Sequence, residues 1–466
     1  NLTLSQAQMR EDMDSLQSKI FTYCSFIPLL EQRTNTSIRQ ELERLKQEIT
    51  PNTSTKDFVD IVRQGLNILC DGHTHIAHSR AIKWFVPHSY LSAVDNISLD
   101  DTLHADHYYR LTIDSMYAQA QSGLRVKYID GKYYNARPFT FNDAAINVGE
   151  VITAIDGIEI NEFIQTHYSQ INYISWDAKN KQFYADNFIL SLPIMGKPEF
   201  TLTINNKEVV IDSRKLVDNL QREVYALPKF PKMEILGDDI LYIYMPTMMQ
   251  AEWYVSQLKQ LYTPAIKKII FDIRRNGGGD DSVWATLLEH IINEPFRYKY
   301  AVRMNYNEAL KKAIADFGTI AQEGNTMTVR HDRTIYPDSS SISFSGKMYI
   351  IQDKNTYSAA AAFVSAALQN KNKITVIGEP ATLISGYTFP PLMFRLPHSG
   401  IVFNLAFSTD ISGGAENPYM DKVEIEITEN STDYFDKLYK YDSSDTEYLS
   451  QTDKCIQYIK EVGESR

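Results

Sequence analysis

Cysteine is nearly absent. Cys24, Cys70 and Cys455 are the only thiols in 466 residues. An odd number at wide spacings fits neither a disulfide framework nor a zinc knuckle, which leaves buried or incidental thiols. No run of about 18 or more apolar residues occurs, so no segment reads as a membrane span. A basic excess is missing too. The formal net charge is −11, which repels phosphate and argues against nucleic acid as a partner. Twenty glycines and seventeen prolines are too few for a disordered or fibrous chain. There is no internal repeat. No segment reads as a signal peptide, and the chain opens on NLTLS without an initiator methionine, which suggests a mature or trimmed chain.

What is present is an ordinary globular composition, long enough for about three domains at ~100–200 residues each. Residues 4–70 carry apolar side chains at three- and four-residue steps among charges, which predicts helices. The clearest is STKDFVDIVRQGLNILCDG. Ser54 or Thr55 can cap it, Phe58, Ile61, Val62, Leu66 and Leu69 form one stripe, and Gly72 can stop it. Residues 80–120 are mixed. From Gly123 the texture turns to short β-type runs, LRVKYIDGKYYNARPF, GEVITAIDGIEI and EFTLTINNKEVVI. Asp-Gly at 130–131 and Asn-Asn at 205–206 read as hairpin turns. From about residue 238 strands and helices alternate: DILYIYMP, QAEWYVSQLKQLY, KKIIFDIRRN, DSVWATLLEHII, GKMYIIQD, SAAAAFVSAALQN and KITVIGEP. Near-continuous apolar strands of this kind predict a largely parallel, buried sheet. The acidic, tyrosine-rich last ~30 residues read as a terminal helix.

Chemistry in an open α/β sheet gathers at the carboxyl ends of the strands. Two such ends stand out. IIFDIRRNGGGDDS finishes a strand with Gly277 to Gly279, where backbone N–H groups can face outward and bind a developing negative charge. A plain tight turn is the alternative, and the lysine and hydroxyl of a phosphate loop are missing. The second end is MYIIQDKNTYSAAAAFVSAAL. Ser358 opens an alanine-rich helix there, near the positive end of its dipole, with the Ala359 N–H free to donate to an oxyanion. The geometry is analogous to a nucleophile elbow without the G-x-S-x-G pattern; the alternative is a helix cap. A third candidate is LNILCDGHTHIAH, in which His73, His75 and His78 follow the helix.

FDIRRNGGG followed by TYSAAAAFVSAALQNKNKITVIGEPATLISG resembles the carboxyl-terminal processing proteases, the tail-specific and tricorn-core serine peptidases. The resemblance covers residues 238–425 and extends upstream to NVGEVITAIDGIEI, which is similar to a strand pair of the PDZ-like domain these proteases carry. It implies a multi-domain α+β protein. Residues 1–110 would form an N-terminal helical region bearing DGHTH, 111–213 a PDZ-like β domain, and 214–432 an α/β catalytic core with a mostly parallel, ClpP/crotonase-like sheet. Residues 433–466 would form a helical tail. One branch of the family activates its serine with a downstream lysine, but no lysine lies between Lys373 and Lys422. The tricorn-like branch uses a histidine and a glutamate instead.

By resemblance Ser358 is the nucleophile, His73 in D-G-H-T the general base and acid, and Glu416 in GGAENPYMDKVEIEI the orienting carboxylate. The N–H groups of Ala359 and of Gly277 or Gly278 form the oxyanion hole. His75 shares a face with His73 in an extended segment and stays a weaker candidate; His78 reads as a solvated or packed side chain. An ordinary surface glutamate is the alternative for Glu416. The implied mechanism needs no metal or organic cofactor. The implied substrates are peptides or unfolded protein chains, and the implied location is extracytoplasmic. SGLRV at 122–126 is a weak match to a carboxylate-binding loop, through which the PDZ-like domain would hold a substrate's carboxyl terminus. Two rivals remain. A metal-dependent amidohydrolase also carries an H-x-H pair, but there the pair ends a strand, whereas here a helix precedes it. A binding protein on the same scaffold would use its aromatic residues to line an apolar cavity.

Overall fold

The computed structural model describes residues 4–87, 94–95, 97–120, 124–141, 143–214, 230–382, 389–413, 422–439 and 446–462. It divides into two compact units. The first comprises residues 1–222, 303–327 and 389–408, and the second 223–302, 328–388 and 409–466. Residues 303–327 and 389–408 thus group with the N-terminal unit, although sequence alone assigns them to one 214–432 core.

The first unit begins with helices Gln6–Tyr23, Ile27–Thr34, Ile38–Gln47 and Thr55–Asn67. Ser5 with Gln8, and Ser54 with Asp57, close capping boxes that satisfy the first free N–H groups. Phe58, Ile61, Val62, Leu66 and Leu69 are all buried, the stripe expected from their spacing. A Cβ on Gly65 would lie 3.1 Å from Leu16 Cδ2 and 3.3 Å from Leu42 Cδ2, so glycine lets three helices close on each other. The Thr55–Asn67 helix stops short of Gly72. Ile68 is its C-cap, and Cys70 takes the left-handed conformation at φ 48°, so the turn is made before the glycine is reached.

After that turn His75–Ile76 pairs antiparallel with Val402–Leu405, which in turn pairs with Leu392–Arg395. Buried Asp12 fixes the tip of this hairpin by accepting from the N–H groups of His398 and Ser399, both at 2.8 Å.

The β-rich part of the same unit is an antiparallel sheet ordered 207–212, 199–204, 151–155, 132–135, 126–129. Both expected hairpin turns are there. Asp130 and Gly131 have φ 46° and 83°, and Asn205 and Asn206 have φ 45° and 63°, the paired positive values of a type I′ turn whose twist matches the strands. Tyr133, Ile152, Ile155, Phe163 and Leu202 fill its core.

The second unit is built on a six-stranded sheet ordered Lys232–Leu236, Ile240–Tyr244, Lys268–Asp272, Lys347–Gln352, Ile374–Gly378, Ile425–Glu426. The first pair is antiparallel and the other four are parallel. Alternate side chains explain why the strands read as continuous apolar runs. Leu241, Ile243, Ile269, Phe271 and Ile350 face one core, which Trp284 and Phe363 of the helices Asp281–Glu289 and Ala359–Leu368 complete. Their rings stack 5.2 Å apart. Ile240, Tyr242, Tyr244, Ile270 and Ile351 face the other core, closed by Leu449, Cys455, Ile456 and Ile459. The C-terminal segment that supplies these is three short helices, Ser431–Tyr439, Thr446–Thr452 and Lys454–Glu461, where one was expected. All three cysteines are free and buried. Among the described residues no helix is long and apolar enough to cross a membrane.

A buried ion cluster ties the tail to the sheet. The Arg274 guanidinium donates to both oxygens of Asp272, at 2.9 and 2.5 Å, and to Asp453 Oδ2 at 2.6 Å. Lys437 donates to the same Asp453 oxygen at 3.0 Å and also pairs with Glu429. Asp453 Oδ1 meanwhile caps the last helix by accepting from Cys455 and Ile456 N–H. Pairing of this completeness is what makes ions tolerable in a core.

Candidate active site

Ser358 lies between the strand Lys347–Gln352 and the helix Ala359–Leu368. Its backbone is at φ 54° and ψ −126°, and its side chain makes no capping hydrogen bond. The capping alternative for this serine therefore fails. A non-glycine residue at such angles carries strain of about 1–3 kcal/mol, which the surrounding structure must over-determine. The surroundings here do so. Ala360 N–H donates to Tyr357 O, Ala362 N–H to Ser358 O, and Tyr357 N–H to Asn276 O.

That last bond joins the serine's loop to the glycine run. Gly278 has φ 106°, and a Cβ on it would stand 2.5 Å from Ser358 Cβ and 3.0 Å from Ala359 N. Gly279, at φ 142°, would place a Cβ 2.3 Å from Met248 O. Both glycines are required by close approach as well as by dihedral. The structure thus brings Gly277, Gly278, Ser358 and Ala359 to one place at the carboxyl ends of two adjacent parallel strands.

Within that cluster the backbone donors differ. The Gly278 N–H is taken by Asn276 Oδ1 at 2.8 Å. Those of Gly277 and Ala359 donate to no group among the described residues. Asn276, which sequence reading passed over, is fully buried. Its Nδ2 donates to Met245 O at 2.8 Å. The signal was an asparagine two residues ahead of a glycine in RRNGGG, a spacing that lets a side-chain amide close a turn on the backbone.

His73, His75 and His78 lie close together but make different contacts. His73 is half-buried. Its N–H donates to Asp71 Oδ1 at 2.8 Å and its ring meets Phe85 edge-on, with centroids 6.5 Å apart. Thr74 Oγ1 accepts from Ala406 N–H at 3.0 Å, which anchors the residue that follows. Burial, and then the neighbouring His75, push the His73 imidazole down to about 4, so it is neutral near pH 7. In that form one ring nitrogen can accept a proton. His75 lies in the short strand opposite Asn404. Its Nδ1 is 3.0 Å from Ile76 O and its Nε2 3.4 Å from Asn404 Nδ2. His78 is neither solvated nor merely packed: it is the N-cap of Ser79–Phe85, its Nδ1 accepting from Ala81 N–H at 3.1 Å. Among the described residues no group of three or more His, Cys, Asp or Glu side chains is arranged to hold a metal ion. Glu416 lies outside the described residues, as do Ser122 and Gly123 of SGLRV.

Residues 239–406 match the model of peptidase family S41. The chain carries an S41 peptidase domain, and it is a serine-type peptidase. The matched range takes in Gly277, Gly278, Ser358 and Ala359, while His73 and Glu416 lie outside it. No curated protein matches the chain. Among solved structures, mature CPAF is similar in fold at a TM-score of 0.59 and 13% identity, covering 96% of this chain and 98% of that one. Mature CPAF complexed with lactacystin is similar at a TM-score of 0.58 and 14% identity, covering 98% and 99%. At such identity the likeness is one of fold. It extends over nearly the whole length of this chain.

Proposed function

We propose that this S41 peptidase cleaves peptides or unfolded protein chains by acyl transfer through Ser358. Ser358 Oγ attacks the scissile carbonyl. His73 takes the hydroxyl proton and returns it to the leaving amine, and Glu416 orients the imidazole. The N–H groups of Ala359 and Gly277 bind the oxyanion of the tetrahedral intermediate. Gly277 is preferred to Gly278 because the Gly278 N–H already has a partner in Asn276. The observation that carries the reading is the backbone of Ser358, held at φ 54° and ψ −126° at the start of a helix its side chain does not cap. The neutral state of His73 supports its part as base.

The β-rich segment 111–213 is read as a PDZ-like domain on a tricorn-like branch protease, gripping substrate carboxyl termini. Equal affinity for amidated and free peptides would rule out that grip. The family resemblance supports an extracytoplasmic location.

Proteolysis of an unfolded protein by wild type, Ser358→Ala and His73→Ala, each with and without a chelator, tests the mechanism. Activity abolished by both substitutions and indifferent to chelator is the expected result. Activity that survives Ser358→Ala and falls with chelator would overturn it.

A further inference from the structure

We propose that Asn276 is a positioning residue for the oxyanion hole, an inference that rests on Ser358 being the nucleophile. Asn276 is fully buried and ties together the segments that must stay in register. Its Nδ2 donates to Met245 O, just past the strand Ile240–Tyr244, at 2.8 Å. Its Oδ1 accepts from Gly278 N–H at 2.8 Å. Its carbonyl accepts from the N–H of Tyr357, the residue before the serine, at 3.0 Å, and its own N–H donates to Ile273 O at 3.1 Å. The glycine loop is also pinned by Met248 N–H donating to Gly278 O at 2.8 Å.

One short side chain supplies both a donor and an acceptor, and the acceptor is the half that holds the glycine loop. Asparagine has a carbonyl for Gly278 and an amide N–H for Met245. Aspartate keeps the acceptor and loses the donor; alanine loses both. Holding the Gly278 N–H has a directional effect. It takes one donor out of competition, fixes the peptide that follows Gly277, and sets the Gly278 Cα against Ser358, where no Cβ fits. Asn276 touches no reacting atom. It acts through the position of Gly277 relative to Ala359, and a misplacement of about 1 Å in such a hole costs roughly 10²-fold in rate.

The test compares Asn276→Ala and Asn276→Asp with wild type and Ser358→Ala. The readouts are kcat and KM on an unfolded protein substrate, the rate and final amplitude of labelling by a fluorophosphonate serine reagent, and the melting temperature. Dividing kcat by the labelled fraction removes any loss due to misfolded molecules. The expected result for Asn276→Ala is a fall of about 10²-fold in normalised kcat, a matching fall in labelling rate, and KM within about threefold. Asn276→Asp, which keeps the Gly278 acceptor, is expected to recover at least tenfold of that kcat even if it melts as early as the alanine variant. Normalised kcat within threefold of wild type for Asn276→Ala would overturn the proposal. So would equal losses in the two variants that follow melting temperature alone. Labelling and turnover that persist in Ser358→Ala would instead overturn the reading of Ser358, whatever the Asn276 variants do.

Discussion

Gly278 and Ser358 approach so closely that a Cβ on the glycine would stand 2.5 Å from the Cβ of the serine. Gly278→Ala must therefore move the loop or the serine, and it also places a Cβ at φ 106°. The expected outcome is a fall of about 10²-fold in kcat/KM, with a loss of about 1–3 kcal/mol in stability. Steady-state kinetics alongside thermal melts check this. A variant that melts early yet keeps full kcat per active molecule would show that the contact is structural alone.

The His73 imidazole, pushed down to about 4 by burial and then by His75, gives the base proposed above a distinct pH signature. A base works in its neutral form, so activity is expected to be level from about pH 5.5 upward through neutrality and to fall as pH drops through about 4. Removing the His75 ring in His75→Ala removes a charge that opposes protonation of His73, so the acid limb of kcat/KM is expected to move to higher pH. An acid limb that stays put in His75→Ala would separate His73 from the titration.

Asp453 sits between Arg274 and Lys437 in the second unit's core. Burial alone would raise its pKa, but the charges of Arg274 and then Lys437 outweigh that and hold it far below the usual carboxylate range. Because the folded value is depressed, the stabilisation is complete above the unfolded value of about 3.9 and is lost as pH falls below it. Asp453→Ala leaves Arg274 and Lys437 one carboxylate short, and a cost of about 3–5 kcal/mol follows. Denaturant melts at pH 7 and pH 3 check both points. The variant should be much weaker than wild type at pH 7, and the gap should narrow toward acid.

His78 caps the Ser79–Phe85 helix through Nδ1. His78→Ala is expected to cost about 1 kcal/mol and His78→Asn to restore most of it, with kcat per active molecule unchanged in both. A loss of more than tenfold in kcat with His78→Asn would contradict a capping role and return this ring to the chemistry.

Much of the fold could be read in the sequence where a local rule is strict. Type I′ turns demand two consecutive positive φ values, which Asp130–Gly131 and Asn205–Asn206 supply. In the strand Lys268–Asp272 the middle residues Ile269, Ile270 and Phe271 face the two cores, so they read as a continuous apolar run. The meeting of Gly278 with Ser358 is legible for the same reason, since a glycine run and a serine stand at adjacent strand ends. What stayed hidden depends on partners distant in the chain. Nothing local says that His75–Ile76, a two-residue strand, pairs with Val402–Leu405. Histidine is not a usual N-cap, so the work of His78 could not be read from residue type. Asn276 was overshadowed by the glycines it holds.

The backbone of Ser358 has one further consequence. Its angles, φ 54° and ψ −126°, suit glycine far better than serine. A glycine there would release most of the local strain at the price of a hydroxyl. Under the proposed role of Ser358 as nucleophile, the more stable residue at position 358 and the working one therefore differ. Any search for thermostable variants that selects on melting alone will drift toward the inert one.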